Sequence, residues 1–558
     1  MSAANRVKFA NVEGASEVFT DEFVEYLAAA HDALTSRLHE LRSARAGIRE
    51  RAAEGDMPAH PATSDINTGD WKVPTVPDEL RMPGIEISGP ASLTSMFINA
   101  LNPGPDGQRG EGDLDDDEDS AGHRLVDTVA AALNRKHAVE GTLVFEDKSR
   151  GRKYEVKEGP IPFFMHRERG IHLDEHDVTV DGTPVPAALL GMALTLFYAG
   201  RAQIERGQGL YWYLPKLESA DEAGFYREFL DFSTEYLKIP SDAVIRAIIL
   251  VESLPAVYEM EEMLHALGPY AAGLNAARWD LKASILEYIM TDPNALWPDR
   301  FGVDIKTTNF IANIFRRLVA VCLKRGAVPI GGMATALPDK DPKVNEAAGA
   351  SIRSDKEWEA QQGFLRGWVA HIFHMTTAAQ PFKELRGSGW QPSADMADPD
   401  RFPVALETPE GPITVEGTRR NIRTMIEYLE GWLAGRGAKG IDSLEGRPGT
   451  HPRLMEDLAT ARISVAQTAQ RILHAAADSD SGEVHDFPLV KGLVQQELAD
   501  ILRLREEAGQ DAAATARYAK AAVITLHWIK SYTELNFRSL GSYTRADLDA
   551  IAAAPEAF

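Results

Sequence analysis

Residues 245–280 read IRAIILVESLPAVYEMEEMLHALGPYAAGLNAARWD. The run from Ala247 to Val251 is apolar and β-branched, too short for a helix and too continuous for a half-exposed strand, so it predicts a strand buried on both faces. It ends on a carboxylate, Glu252. Pro255 opens a helical stretch that Gly268-Pro269 stop, and a second short strand is expected around Tyr270 to Leu274. That is a βαβ unit. Such units place ligands beyond the carboxyl ends of their strands, where Glu252 and Asp280 come to lie side by side. Converging carboxylates repel unless a cation separates them, and a hard divalent ion such as Mg²⁺ suits all-oxygen ligation. Spacing alone gives equal weight to a plainer alternative, with Glu252 as a helix N-terminal acid and Asp280 as a surface partner of Arg278.

A chain of 558 residues with 44% hydrophobic content has room for a large core and more than one structural unit. The net charge of −24, from 59 basic and 83 acidic residues, argues against nonspecific binding to nucleic acid or anionic membranes. The single cysteine, Cys322, lies in the apolar helical run IANIFRRLVAVCLKRG and reads as a buried structural thiol. The stretch MSAANRVKFANVEGASE has no signal-like apolar core, no window approaches twenty apolar residues, and the terminal PEAF differs from a peroxisomal address. A cytoplasmic location is the expectation.

Working outward, residues 20–54 carry Phe23, Leu27, Leu34, Leu38 and Leu41 at helical spacing, followed by a proline- and glycine-bearing connector. Ile85-Glu86-Ile87 suggests a strand, and a helix follows around Leu93 to Leu101. Residues 102–120, NPGPDGQRGEGDLDDDEDS, read as a loop with no convincing strand in 102–112. They fail the calcium-loop pattern, with Glu118 where a glycine is required, and they lack the lysine of a phosphate-binding loop. TLVFE and KYEV form an expected hairpin, and IPFFMH leads into Arg167 and Arg169. Further strands are expected at 210–219, 327–333 and 367–371, with helices between most of them. Alternating strands and helices of this number predict an α/β fold, a (β/α)₈ TIM barrel. Helical runs at 419–435, 452–475, 488–507 and 512–530 make a C-terminal helical domain. The expected divisions are a helical clasp over 1–84, a barrel over 85–388 and the helical domain over 389–558.

Taken together, ISGP, INALN, YWYLPKLES, IRAIILVESLPAVYEMEEMLHAL, GLNAARWD, KRGAVPIGGMA and LMEDLATARIS resemble malate synthase of the shorter A type. That family condenses acetyl-CoA with glyoxylate on Mg²⁺ in a barrel flanked by helical domains. The resemblance implies that Glu252 and Asp280 hold the magnesium, Arg167 is the catalytic arginine and Asp457 the catalytic base. It also implies that the turn through Ala277, Arg278, Trp279 and Asp280 holds glyoxylate, partly through backbone N–H groups. A weakly acidic thioester methyl needs a base and a group that stabilises the enolate oxygen, and a guanidinium does the latter without losing its own proton. Without the resemblance, Asp457 reads more often as a helix-start acid on a helix opened by His451-Pro452, and Arg167 as a surface residue. His371 and His374 lack a third ligand and read as packing or surface groups.

Two stretches depart from the family pattern. GQRGEGDLDDDED replaces an apolar strand ending in Asp-aromatic-Glu-Asp, with Asp113, Asp115 and Asp116 as the expected surviving acids and Asp115 as a possible auxiliary acid. GFLRGWVAHIFH replaces Gly-His-Asp-Gly-Thr-Trp…His-Pro. Trp368 and Ile372 are expected in the acyl-CoA pocket, and Phe364, Leu365 and Arg366 are expected to alter acyl choice there. The readings are therefore a malate synthase, a synthase for another acyl-CoA or 2-oxo acid, a malyl-CoA-type lyase or thioesterase, or a non-catalytic binding protein. Intact Arg167, Glu252, Asp280 and Asp457 weigh against the last.

Overall fold

The computed structural model describes residues 3–441, 452–507, 509 and 512–554. His451 and the terminal 555–558 lie outside the described residues.

Eight parallel strands close a barrel in sequential order: β1 (Gly84–Pro90), β2 (Gly112–Asp116), β3 (Phe163–Arg167), β4 (Leu210–Leu214), β5 (Ile245–Val251), β6 (Ala271–Ala276), β7 (Val328–Ala334) and β8 (Arg366–Val369). The 245–280 unit folds as its sequence predicts, with β5 and β6 parallel neighbours and their residues buried throughout. The hairpin also forms, pairing Val144–Asp147 with Arg152–Glu155 outside the barrel.

The first correction is β2. The sequence reads as a loop, yet GDLDD is a fully buried barrel strand laddered to Gly84–Pro90 on one side and Phe163–Arg167 on the other. Glycine and aspartate are poor strand formers, so two flanking ladders override local preference. Gly112 fits because a Cβ there would stand 2.6 Å from the ring of Phe163. Two of its three aspartates meet cations: Asp115 accepts from Arg135 Nε at 2.6 Å, and Asp116 from Arg167 Nε and Nη2, both at 2.7 Å.

Helix α1 (Asp21–Ala53) buries Phe23, Leu27, Leu34, Leu38 and Leu41, and clamps to the barrel through Arg45 on Glu222 and Arg49 on Glu218. The C-terminal helices pack over the carboxyl ends of the strands, where α4 (Leu458–Leu473) lies along α3 (Arg278–Tyr288); α2 (Leu125–Glu140) reaches β2 through Arg135 on Asp115. One run, Ala187–Glu205, is long and apolar enough to cross a membrane by length and composition, but it carries Arg201, Gln203 and Glu205 and most of it is buried inside the protein. Cys322 is buried, and burial pushes its thiol well up, away from nucleophilic use.

Candidate active site at the barrel mouth

Glu252 follows the last residue of β5, and Asp280 sits in the first turn of α3, directly after β6. The closed barrel brings a third carboxylate to them: one oxygen each from Asp119, Glu252 and Asp280 lie within 4.8 Å of one another. Asp119 comes from the loop after β2, so its approach depends on a strand that sequence reasoning missed. In their midst stands Lys216, whose Nζ donates to Asp280 Oδ2 at 2.7 Å, Glu118 Oε2 at 3.1 Å, Asp119 Oδ1 at 3.2 Å and Glu252 Oε2 at 3.4 Å. Lys216 has a φ of 58°, an unfavourable conformation for a side chain with a Cβ, and its backbone N–H donates to Glu252 Oε1 at 2.6 Å. Arg462, on the second turn of α4, donates to Asp280 Oδ1 at 2.9 Å.

Carboxylates outnumber cations here, and the titration behaviour follows. Burial raises Glu252 to about 7, Asp280 adding to the effect against the pull of Lys216. Burial and Asp119 raise Glu118 well above its usual range. Asp280 is held low, because Lys216 and Arg462 outweigh its burial. An all-oxygen donor set with uncompensated negative charge fits a hard divalent cation.

Asp457 is the N-cap of α4, accepting from Thr460 N at 3.3 Å, after a short strand Leu454–Glu456; the helix thus opens at Leu458 rather than at Pro452. It serves as a cap and also faces the acids. Burial raises its carboxyl well above the usual range, helped by Asp119 and Asp280. Arg167 ends β3, fully buried, its guanidinium gripped by Asp116 and 3.2 Å from Asp119. Its other face lies over Trp368, 5.5 Å from the ring centre.

A small chamber of about 40 Å³ is lined by Arg167, Glu252, Ala277, Arg278, Trp279, Asp280, Trp368 and Asp457, together with Asp119. Eight residues singled out in the sequence therefore meet in one place. Two others do not. Asp115 is turned to the helix layer, where Arg135 and His166 Nδ1 (2.7 Å) occupy both its oxygens. Asp113 alternates onto the same side and its carboxylate has no hydrogen-bond partner, so the acids that reach the site are Asp116, Glu118 and Asp119. Ile372, past β8, packs half-buried against the cluster of Ile85, Ile87 and Ala334. His371 caps its own turn by accepting from Phe373 N at 3.1 Å, and no third metal ligand joins it and His374 among the described residues.

Phe364, Leu365 and Arg366 also lie elsewhere than expected. Phe364 packs edge-on against Phe315 of the helix layer. Arg366 begins β8, in register with Gly84, the first residue of β1, and donates to Leu80 O (2.6 Å) and Met82 O (3.3 Å) below the barrel. These substitutions seal the floor and leave the mouth alone. A second cavity, of about 550 Å³, opens beside the chamber at Ser120 and Met455, between Pro90, Leu93, Met96 and the basic groups Arg436, Arg453, Arg505 and Arg517.

Comparison with known proteins agrees with this architecture. The family model for the malate synthase TIM barrel domain matches residues 163–400, and that for the malate synthase C-terminal domain matches 412–544. Malate synthase A of Escherichia coli is 32% identical over 536 residues, 95% of this chain and 96% of the relative. A malate synthase of Streptomyces clavuligerus is 34% identical over 539 residues, with 95% and 96% covered, and the glyoxysomal malate synthase of Zea mays 33% over 519 residues, with 91% and 89% covered. The chain belongs to the malate synthase family.

Asp119, Glu118, Lys216 and Arg462 were missed in the sequence. Lys216 and Arg462 sit inside quoted motifs, YWYLPKLES and LMEDLATARIS, but nothing local distinguishes them from ordinary surface cations.

Proposed function

We propose that this chain is an enzyme that condenses acetyl-CoA with glyoxylate and hydrolyses the product to malate and CoA. The observation that carries the reading is the convergence of Arg167, Asp457 and the Asp119–Glu252–Asp280 triad on one chamber at the carboxyl edge of the barrel. Asp119, Glu252 and Asp280 would hold Mg²⁺, which when bound polarises the keto-acid carbonyl. The first backbone N–H groups of α3, at Arg278 to Asp280, have no intrahelical partner and offer an anion site for the glyoxylate carboxylate. Asp457 removes a methyl proton from the acyl group, and Arg167, fixed by Asp116, stabilises the enolate oxygen as charge develops. The raised affinity of Asp457 for protons suits a base that must accept one, and screening of Asp119 and Asp280 by a cation favours its ionised resting form.

The 550 Å³ cavity sets apolar Pro90, Leu93 and Met96 opposite Arg453 and opposite Arg436, Arg505 and Arg517, which Glu430 and Glu427 already hold, so the phosphates of an acyl-CoA would share these cations with the two carboxylates. The floor position of Phe364, Leu365 and Arg366 removes the main reason to expect a different acyl group. The lone buried Cys322 is compatible with a reducing compartment, and the cytoplasm is our reading of location.

The test is a thiol-release assay with acetyl-CoA, Mg²⁺ and a panel of 2-oxo acids, with products identified by mass. Release that requires glyoxylate and yields malate supports the reading. Release without any oxo acid points to hydrolysis, and release only with another oxo acid points to a different synthase.

A further inference from the structure

Arg366, Glu86, Tyr213 and Trp368 form a buried chain that runs from the barrel floor to the chamber. The Arg366 guanidinium pairs with Glu86 Oε1, and both side chains are fully buried. The other oxygen, Glu86 Oε2, accepts from Tyr213 Oη at 2.7 Å and from Trp368 Nε1 at 3.1 Å. Trp368 Nε1 also meets Tyr213 Oη at 3.1 Å, and the two rings pack edge to face with centroids 4.9 Å apart. The indole face then carries the guanidinium of Arg167. The Arg366 guanidinium on one oxygen and two donors on the other give both oxygens of Glu86 partners. A carboxylate this deep in the barrel needs a cation, and Arg366 supplies it.

We infer that Arg366 is a positioning residue: acting through Glu86, it fixes the indole of Trp368 and thereby the seat of Arg167. The inference rests on the proposed catalytic role of Arg167. Asp116 fixes one edge of that guanidinium, and the indole supports its face, so a tilted indole would let the group shift while its ion pair survives. A guanidinium meant for a developing oxyanion is sensitive to such a shift, since displacement of a reacting group by 1 Å costs up to about a hundredfold in rate.

The experiment is steady-state kinetics with acetyl-CoA, glyoxylate and Mg²⁺. Arg366→Met is expected to lower kcat by roughly 10- to 100-fold while leaving KM for glyoxylate within about twofold, because the anion site on α3 is untouched. Arg366→Lys should recover most of the loss. Since Arg366→Met leaves Glu86 buried without a cation and risks misfolding, the apolar pair Glu86→Leu with Arg366→Met provides a folded alternative, with a kcat loss of the same order. Trp368→Phe removes the indole N–H, and combining it with Arg366→Met should cost no more than the worse single change, because both act on one contact. Parent-like kcat in the folded apolar pair, or losses that multiply, overturns the inference. Arg167→Lys separates it from the reading beneath it. Full activity in that variant sinks both, whereas an inactive Arg167→Lys beside an unimpaired apolar pair sinks the positioning role alone.

Discussion

The mouth and the floor of this barrel both bury charge, and they balance it differently. At the mouth, Lys216, Arg167 and Arg462 face Asp116, Glu118, Asp119, Glu252, Asp280 and Asp457, and burial raises Glu252 to about 7. On the floor, one carboxylate meets one guanidinium, and both oxygens of Glu86 have partners. Matched charge is scaffold: it closes the barrel and specifies the positions of its partners. Surplus carboxylates, held by a rigid ring of strands, suit the cation proposed for this site.

The largest expected effect breaks the mouth. Glu252→Gln and Asp280→Asn should each abolish tight Mg²⁺ binding in calorimetry and lower turnover by ~10³-fold or more, since a bound metal supplies several kcal/mol of transition-state stabilisation. A parent-like Mg²⁺ titration in either variant would detach the surplus charge from cation binding.

Next comes Asp457→Asn, which should fold, bind both substrates and lose solvent exchange of the acetyl methyl protons by ~10²–10⁴-fold. Undiminished exchange would transfer the base to Glu118 or another acid of the mouth. Asp115 is not a candidate, because Arg135 and His166 hold it on the far side of β2.

The sharpest contrast is in stability. Arg366→Met, or a return to glycine at this position, should destabilise the protein by ~3–5 kcal/mol, because Glu86 is left buried and unpaired. At the mouth the sign reverses: in metal-free protein at neutral pH, Glu252→Gln should stabilise by ~1–2 kcal/mol, because it removes a buried charge that lacks full compensation. Urea denaturation without Mg²⁺ measures both. Equal signs would end the distinction between floor and mouth.

The clamp of α1 gives a further matched case. Burial alone would raise Glu218, but Arg49 and Arg45 outweigh it and hold its carboxyl at about 2. A folded value below the ordinary carboxylate value means the unfolded chain binds the proton first on acidification. The contribution is thus fully present above about pH 4.5 and is lost as pH falls towards about 2. A depression of this size corresponds to ~3 kcal/mol at neutral pH, so Glu218→Gln should lower stability at pH 7 and flatten the acid limb of a stability–pH profile. A variant whose acid limb matches the parent's would place that limb elsewhere.

Sequence alone determined the βαβ unit at 245–280, the α/β class, the hairpin and the long N-terminal helix, because each is written in a local period, and it offered the pair Glu252 and Asp280 at the strand ends as one of two equal readings. Arg167 and Asp457 were legible only through family resemblance, since a guanidinium beside Glu168 and an acid at a helix start look ordinary by themselves. Tertiary structure alone decided the rest. It made GDLDD a strand by laddering both its edges, which set the alternation that turns Asp115 outward and Asp116 inward. It brought Asp119 to Glu252 and seated Lys216 among their carboxylates, although these residues lie far apart in the chain. It also sent Arg366 to the floor, because a residue at the start of a barrel strand lies a strand's length from the mouth at its end. Periodicity reports which face of an element is buried, but which charges converge is fixed only when the barrel closes and sets the register between its strands.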